Sequence, residues 1–304
     1  MVEVSVIIIN YNTTVLTNKC IASIIRFSEN VDYEIIIIDN NSKPKFTLDD
    51  ECSNAEIKVL YSDKNIGFAR ANNLGLYHAT GKHILLLNSD TELLNNAIGN
   101  SLKKIKTQSS IGVISAQLVS PNGELQHPAE RFPSLKRELR ELFRLNKSLI
   151  SKERAEYYLG SAFDHQSEVE CDWVWGTFFM FSRKLVACFA ERRLPDDFFM
   201  YGEDMQWCWA IKKLGYKIIY YPEAKILHHG AGSAELSTDR KHYITKILPN
   251  TYRVVVMEKG PLYAWILYFV KALHLLTLRK AHNIGDAVGL FRFLLGKKKY
   301  SMNN

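Results

Sequence analysis

Three nearly unbroken apolar runs, each closed by Asn or Asp, constrain this chain more than any other feature. Val4 to Ile9 ends in Asn10-Tyr11-Asn12, Ile35 to Ile38 in Asp39-Asn40-Asn41-Ser42, and Ile84 to Leu87 in Asn88-Ser89-Asp90. Runs this rich in branched residues are what strands need when both faces of a parallel sheet are covered. Helix-length segments separate them. Thr13 or Thr14 opens one, with Leu16, Cys20, Ile21, Ile24 and Ile25 on one face. A second follows Asn65-Ile66-Gly67-Phe68 and ends near Gly81, after a short strand over Ile57 to Tyr61. The alternation predicts an α/β fold: a Rossmann-like, mostly parallel sheet flanked by helices, binding its ligand beyond the carboxyl ends of the strands. Because the strands close on Asn and Asp, the polar chemistry collects on one edge of the sheet.

The rest of the chain is less regular. Pro121-Asn122-Gly123 reads as a hairpin turn, Leu135 to Tyr158 as one or two surface helices or a mobile loop, and Val174 to Phe181 as a strand. Gly202-Glu203-Asp204 leads into a helix to about Leu214, with Gly215 as its C-cap. A strand over Lys217 to Tyr221 precedes His228-His229-Gly230-Ala231-Gly232-Ser233. With 304 residues, 47% apolar, the chain can bury a large core. Five scattered cysteines without a C-x-x-C pair predict neither disulfides nor zinc, and fit a reducing, cytoplasmic setting. The opening residues read as a first strand, not as a signal peptide. Of the net charge of +7, the segment from Pro261 to the end holds seven basic residues against one acid. Nucleic-acid binding more often shows basic residues spread over a folded face, so no nucleic-acid partner is expected.

Each candidate residue has an ordinary reading beside the chemical one. Asn88 and Asp90 can form a plain strand-end turn capping a helix at Thr91, or an Asp-x-Asp-like pair holding Mg²⁺ or Mn²⁺ against two phosphates. Asp39 can shape a turn, or accept the N3–H of uracil or thymine. Glu203 and Asp204, set among Phe198, Phe199, Tyr201 and Trp207, can cap a helix or supply a desolvated general base. His228 and His229 can be structural, or one of them can be a ligand.

Their order is more specific than any one of them. Asp39, Asn65-x-Gly67-Phe68, Asn88-Ser89-Asp90, Trp175-Gly176, Glu203-Asp204 and His228-x-Gly230-x-Gly232-Ser233 together resemble the inverting glycosyltransferases of family 2, which have the GT-A fold. The likeness spans roughly residues 3–235 and is strongest to bacterial rhamnosyltransferases that build O-antigens and cell-wall polysaccharides. It implies a catalytic domain over 1–235, with a nucleotide-sugar-binding half to about 95 and an acceptor-binding half from about 96, and a basic helical extension over 236–304. It further implies that Asn10, Tyr11 and Asp39 hold the nucleobase, Asn65 and Gly67 line the nucleotide cleft, and Asp90 with Asn88 and His228 binds metal and diphosphate. His228 suits the spacing better than His229. Trp175 and Gly176 would border the acceptor, and Asp204 would be the base with Glu203 in support. Position 88 departs from the commoner Asp-x-Asp, and a neutral amide is the weaker ligand. The implied partners are a dTDP- or UDP-linked donor, with L-rhamnose from dTDP-rhamnose as the lean, and a saccharide or lipid-linked acceptor.

A nucleotidyltransferase would need a glycine-rich basic loop where Asn10-Tyr11-Asn12-Thr13-Thr14 stands, and a dinucleotide dehydrogenase a G-x-G-x-x-G after the first strand. A non-catalytic subunit of a polysaccharide-assembly complex would not need the Glu203-Asp204 pair. At the far end, Leu262 to Leu278 is apolar but interrupted by Lys271 and His274, and short for a span. Ile284, Val288, Phe291 and Leu295 follow at helical spacing, then Lys297-Lys298-Lys299. These features predict peripheral docking on the anionic inner face of the cell membrane; a packed helical lid or a homo-oligomer interface is the plainer alternative.

Overall fold

The computed structural model describes residues 1–52, 56–145, 151–230, 243–278 and 281–296. The chain divides into two compact units, one of Met1–Arg131 with Leu159–Ala234, the other of Phe132–Tyr158 with Glu235–Asn304.

The first unit is built on a large sheet. Its strands are β1 (Val4–Asn10), β2 (Tyr33–Asp39), β3 (Ile57–Tyr61), β4 (His83–Asn88), β5 (Thr91–Leu93), β6 (Ile111–Val119), β8 (Val169–Cys171), β10 (Phe178–Ser182) and β11 (Lys217–His228); β7 (Ala129–Glu130) and β9 (Trp173–Val174) pair separately. The order is β3-β2-β1-β4-β10-β6-β11-β5, with β8 alongside β11. β1, β2, β3 and β4 run parallel, and β10 enters antiparallel between β4 and β6. Helices α1 (Thr14–Phe27), α2 (Phe68–His78), α3 (Ala97–Ile105) and α6 (Glu203–Lys213) complete this unit. The apolar runs are buried from end to end: Ile7, Ile8, Ile35 to Ile38 and Ile84 to Leu86 expose nothing. The mixed α/β architecture expected from the alternation is therefore present, and the register carries it further. Asn10 lies opposite Asp39, and Ile9 opposite Asn88, so the polar strand ends meet at one edge.

Several elements differ from the sequence reading. Thr91-Glu92-Leu93 forms strand β5, not a helix start; the helix begins at Ala97, capped by Asn96, whose Oδ1 accepts the Gly99 N–H at 2.9 Å. Strand β6, fully within the core, went unpredicted because Gly112, Ser115 and Gln117 interrupt its apolar pattern. The strand expected over Lys217–Tyr221 runs on to His228. A register shift between Tyr221 and Lys225 absorbs Pro222, after which pairing resumes. The expected strand over Val174–Phe181 is two short ones parted by Trp175–Thr177.

The second unit is helical, with α4 (Leu135–Leu142), α5 (Ser151–Tyr158), α7 (Leu248–Lys259), α8 (Pro261–Thr277) and α9 (Ala281–Leu294). Its core joins Leu248, Val255, Leu267, Tyr268 and Leu290. The Tyr263 hydroxyl accepts the Leu135 N–H at 3.0 Å, tying α8 to α4. The segment 132–158 thus packs with the C-terminal helices, whereas the sequence reading placed it with residues 1–235. Among the described residues no helix is long and apolar enough to cross a membrane.

Candidate active site

Two loops at the carboxyl edge of the sheet are laced together by buried side chains. Asn10, fully buried, donates from Nδ2 to Asp39 Oδ1 (3.2 Å) and Ser42 Oγ (2.8 Å), and its Oδ1 accepts from Thr13 and Thr17. All its hydrogen-bonding capacity is used inside the protein. Asn10 thereby fixes Asp39 in place and has no side-chain hydrogen bond left to offer a base. Asp39 also accepts from the Ser42 and Phe46 backbone N–H groups. Burial alone would raise its pKa, but these bonds outweigh burial and hold it below the usual carboxylate value. Asp39 is therefore ionised at neutral pH and shapes the loop to Phe46. Tyr11, just beyond β1, leaves its ring about half exposed.

Asn40 organises the facing loop. Its Nδ2 donates to Asn65 Oδ1 at 2.9 Å, and its Oδ1 accepts the Ile66 N–H. Asn65 Oδ1 also takes the Gly67 N–H, so Asn65 supports the loop through its carbonyl. Gly67 is needed here for two reasons. Its φ is +81°, and a Cβ would sit 2.5 Å from the Phe199 carbonyl oxygen, which accepts the Phe68 N–H. Sequence reasoning found Asn65 and Gly67 but missed Asn40 and Ser42, whose only signal was their place in a polar strand end.

A second cluster forms because β5 pairs with the end of β11. The register sets His228 opposite Thr91, so His228 Nε2 comes 3.6 Å from Asp90 Oδ1. Gln126 donates from Nε2 to the His228 carbonyl and turns its Oε1 to His228 Nδ1 at 2.6 Å. That orientation makes Nδ1 the protonated nitrogen, leaving Nε2 with a lone pair. Nε2 is buried without a hydrogen-bond partner, and burial lowers the imidazole's pKa, so it stays neutral. A carboxylate oxygen and an imidazole lone pair face each other with no proton between them. Such a donor set fits a divalent cation. His229 turns instead to Glu92, at 2.7 Å. Asn88 ends β4, its side chain without a hydrogen bond among the described residues, while its N–H bonds the Thr177 carbonyl. Among the described residues no three His, Cys, Asp or Glu side chains gather as a complete metal cage.

The third cluster lies at the start of α6. Glu203 and Asp204 are the first two residues of that helix, after Gly202 in a left-handed conformation. Asp204 accepts the Gly176 N–H on Oδ2 at 3.2 Å and the Met205 N–H on Oδ1 at 2.8 Å. Burial nonetheless raises its pKa to about 6. Glu203 is buried more deeply; burial and then the neighbouring Asp204 charge raise its pKa well above the ordinary value. Gly176 thus touches the expected base directly, whereas Trp175 is half-buried against the main core. Thr13 Oγ1 and Ser89 Oγ, 2.9 Å apart, link the first cluster to the second.

The family model "Glycosyl transferase family 2" matches residues 5–189, more than half of the chain. The chain belongs to glycosyl transferase family 2. It is also similar in fold to two solved glycosyltransferase structures, each with a TM-score of 0.56. One is GalNAc-T7 with UDP, GalNAc and Mn²⁺, at 16% identity over 96% of this chain and 54% of that one. The other is the mannosyltransferase PcManGT from Pyrobaculum calidifontis with GDP-Man and Mn²⁺, at 17% identity over 98% of this chain and 81% of that one. Among curated proteins, "Uncharacterized protein y4gI" of Sinorhizobium fredii (strain NBRC 101917 / NGR234) is 25% identical over 100 residues, 32% of this chain. The matched stretch is 11% of that relative's length, and the chain spans about half of GalNAc-T7. The GT-A-type architecture of this family member is thereby established, and the family is one of transferase enzymes.

Proposed function

We propose that this family 2 member transfers a sugar, with inversion, from a nucleotide-diphosphate donor to a hydroxyl of a saccharide or lipid-linked acceptor. The donor we favour is dTDP-L-rhamnose, with a UDP-sugar next, and the setting is polysaccharide synthesis at the cytoplasmic face of the cell membrane. The observation that carries the reading is that Asp90 Oδ1 and the buried His228 Nε2, which has no hydrogen-bond partner, face each other across 3.6 Å. Asp90 and His228 would hold Mg²⁺ or Mn²⁺, with Asn88 and the donor phosphates filling other positions, as hard cations with few protein ligands do. When bound, the cation offsets the charge that builds on the departing diphosphate. The likeness to two structures that contain Mn²⁺ supports this reading.

The remaining chemistry belongs to the protein. Asp39 Oδ2, which takes the Phe46 N–H, would also accept the N3–H of thymine or uracil, and the exposed Tyr11 ring is suited to cover the base. The acceptor oxygen attacks the anomeric carbon from the face opposite the leaving group, and Asp204 takes its proton. One displacement inverts the centre. Trp175 borders the acceptor, and Gly176 fixes the base through its N–H.

Nucleotide release from a panel of dTDP-, UDP- and GDP-sugars, with and without chelator, tests the proposal. Chelator-sensitive release, fastest from dTDP-rhamnose, is expected. Preference for a UDP-sugar would reassign the donor, and turnover of none by folded, Mn²⁺-supplied protein with acceptor present would end the reading.

Gln126 makes a separate test of the cation site. Gln126→Leu removes the acceptor that sets the His228 tautomer, and Mn²⁺ affinity in the presence of dTDP should weaken by about 10- to 100-fold. Gln126→Glu, which keeps an acceptor, should retain most of it. Electron paramagnetic resonance of free Mn²⁺ reads this without turnover; unchanged affinity in the Leu variant would remove Gln126 from the role.

A further inference from the structure

The helical unit carries a surface that the transfer reaction does not use. On α8, Leu262 and Trp265 are 71% and 40% exposed, and on α9, Ile284 and Val288 are 44% and 39% exposed. Rings join the two stripes. Trp265 stacks on Phe269 with centroids 5.1 Å apart, and Phe269 meets Phe291 edge-on at 5.6 Å. Ile284, Val288 and Phe291 recur at three- and four-residue spacing, so they share one side of α9. Exposed apolar side chains on two adjoining helices, bridged by ring contacts, differ from apolar residues scattered singly over a surface.

Charge decides what covers it. Residues 132–158 and 235–304 hold 19 Lys and Arg against 8 Asp and Glu, a net charge of +11. The other unit holds 20 against 24, a net −4, and the two sum to the chain's +7. The basic character belongs to the unit that bears the apolar band. Arg279 and Lys280 fall between the two helices in sequence, and Lys297 to Lys299 directly follow the last described residue, Gly296. Pairing with a second copy of this unit would bring +11 towards +11, which opposes association. An anionic bilayer satisfies both properties: apolar side chains and aromatic rings enter the headgroup boundary, and the lysines and arginines remain at the charged surface.

We infer that the outer face of α8 and α9 is a membrane-docking surface, on which the helix pair lies flat against an anionic lipid leaflet. This names the surface for the docking part of the reading above and is independent of its chemistry.

The test is co-sedimentation of the full chain with phosphatidylcholine vesicles containing either no or one-third phosphatidylglycerol, at low and high salt. Binding to the anionic vesicles, lost with neutral vesicles and in high salt, is expected. The charge substitutions Trp265→Glu and Ile284→Glu/Val288→Glu should each weaken it by about tenfold or more. Their donor hydrolysis and thermal melting should match the unaltered protein. Should a variant fail to fold, quenching by brominated lipid supplies the same information, since signal lost in Trp265→Phe reports the depth of that ring. Equal binding by folded face variants overturns the surface while leaving docking elsewhere. Absence of binding overturns both, and a dimer that the same substitutions dissociate assigns the face to a second copy. Loss of donor hydrolysis in every protein, with vesicle binding intact, would overturn only the transferase reading.

Discussion

Asp204→Asn is expected to lower turnover by about 10²- to 10⁴-fold while donor affinity barely changes. The amide keeps an oxygen for the Gly176 N–H, gives up the bond from the Met205 N–H, and cannot accept the acceptor's proton. The pH dependence follows from the raised pKa. Asp204 must be ionised to act, so turnover should fall as pH drops through about 6, and the Asn variant should lack that limb. Because Glu203, its pKa raised by burial and by the Asp204 charge, titrates beside it, the limb belongs to the pair. Stability should move the other way. A carboxyl group whose pKa is higher folded than unfolded stabilises the fold when protonated, and that contribution disappears as pH rises from 3.8 to about 6. Above that range the ionised, buried group is a liability. The variant should therefore lack this pH dependence of melting, since the amide does not titrate. Normal turnover in the variant, or a defect confined to donor affinity, would move the base to Glu203.

What the sequence made legible here were features with a local signature. Unbroken isoleucine runs announce buried strands, and their Asn and Asp endings announce a polar edge, so the sheet and the neighbourhoods of Asp39, Asn88 and Asp90 could be read directly. The start of α6 was visible in Gly202-Glu203-Asp204. What stayed hidden depends on pairing between distant segments. Thr91-Glu92-Leu93 looks like the opening of a helix until β11 lies against it, and that pairing sets His228 towards Asp90 and His229 towards Glu92. Gln126 sits in a loop stretch with no periodicity and gains meaning only through two bonds to His228. Asn10 was conspicuous as a strand-end Asn, but its burial and four internal bonds, which tie it to Asp39 and Ser42, depend on distant segments and were not legible. The segment 132–158 was misassigned because its affinity for the C-terminal helices is tertiary: α4 looks like a charged surface helix in isolation.

Asp90→Ala should reduce turnover by about a thousandfold or more, since losing several kcal/mol of stabilisation at the departing diphosphate costs a factor of ten for each 1.4 kcal/mol. The fold should tolerate the change. The Asp90 side chain makes no hydrogen bond among the described residues, and its backbone carbonyl, which takes the His229 N–H at 2.9 Å, is untouched. Removing the carboxylate leaves His228 Nε2 with no anionic partner across the gap, so Mn²⁺ affinity should fall together with turnover. A loss of both, with an unchanged melting temperature and unchanged binding of donor in metal-free buffer, fits a cation held at this pair. Asp90→Asn should lie between, because an amide oxygen is a weaker ligand than a carboxylate. That comparison also bears on position 88, where this chain already has the neutral Asn: a severe loss in Asp90→Asn would mean that one carboxylate is the minimum the site requires. Full turnover of metal-free protein in excess chelator would instead show that the departing diphosphate is stabilised without a cation, and Asp90 would lose its assigned role.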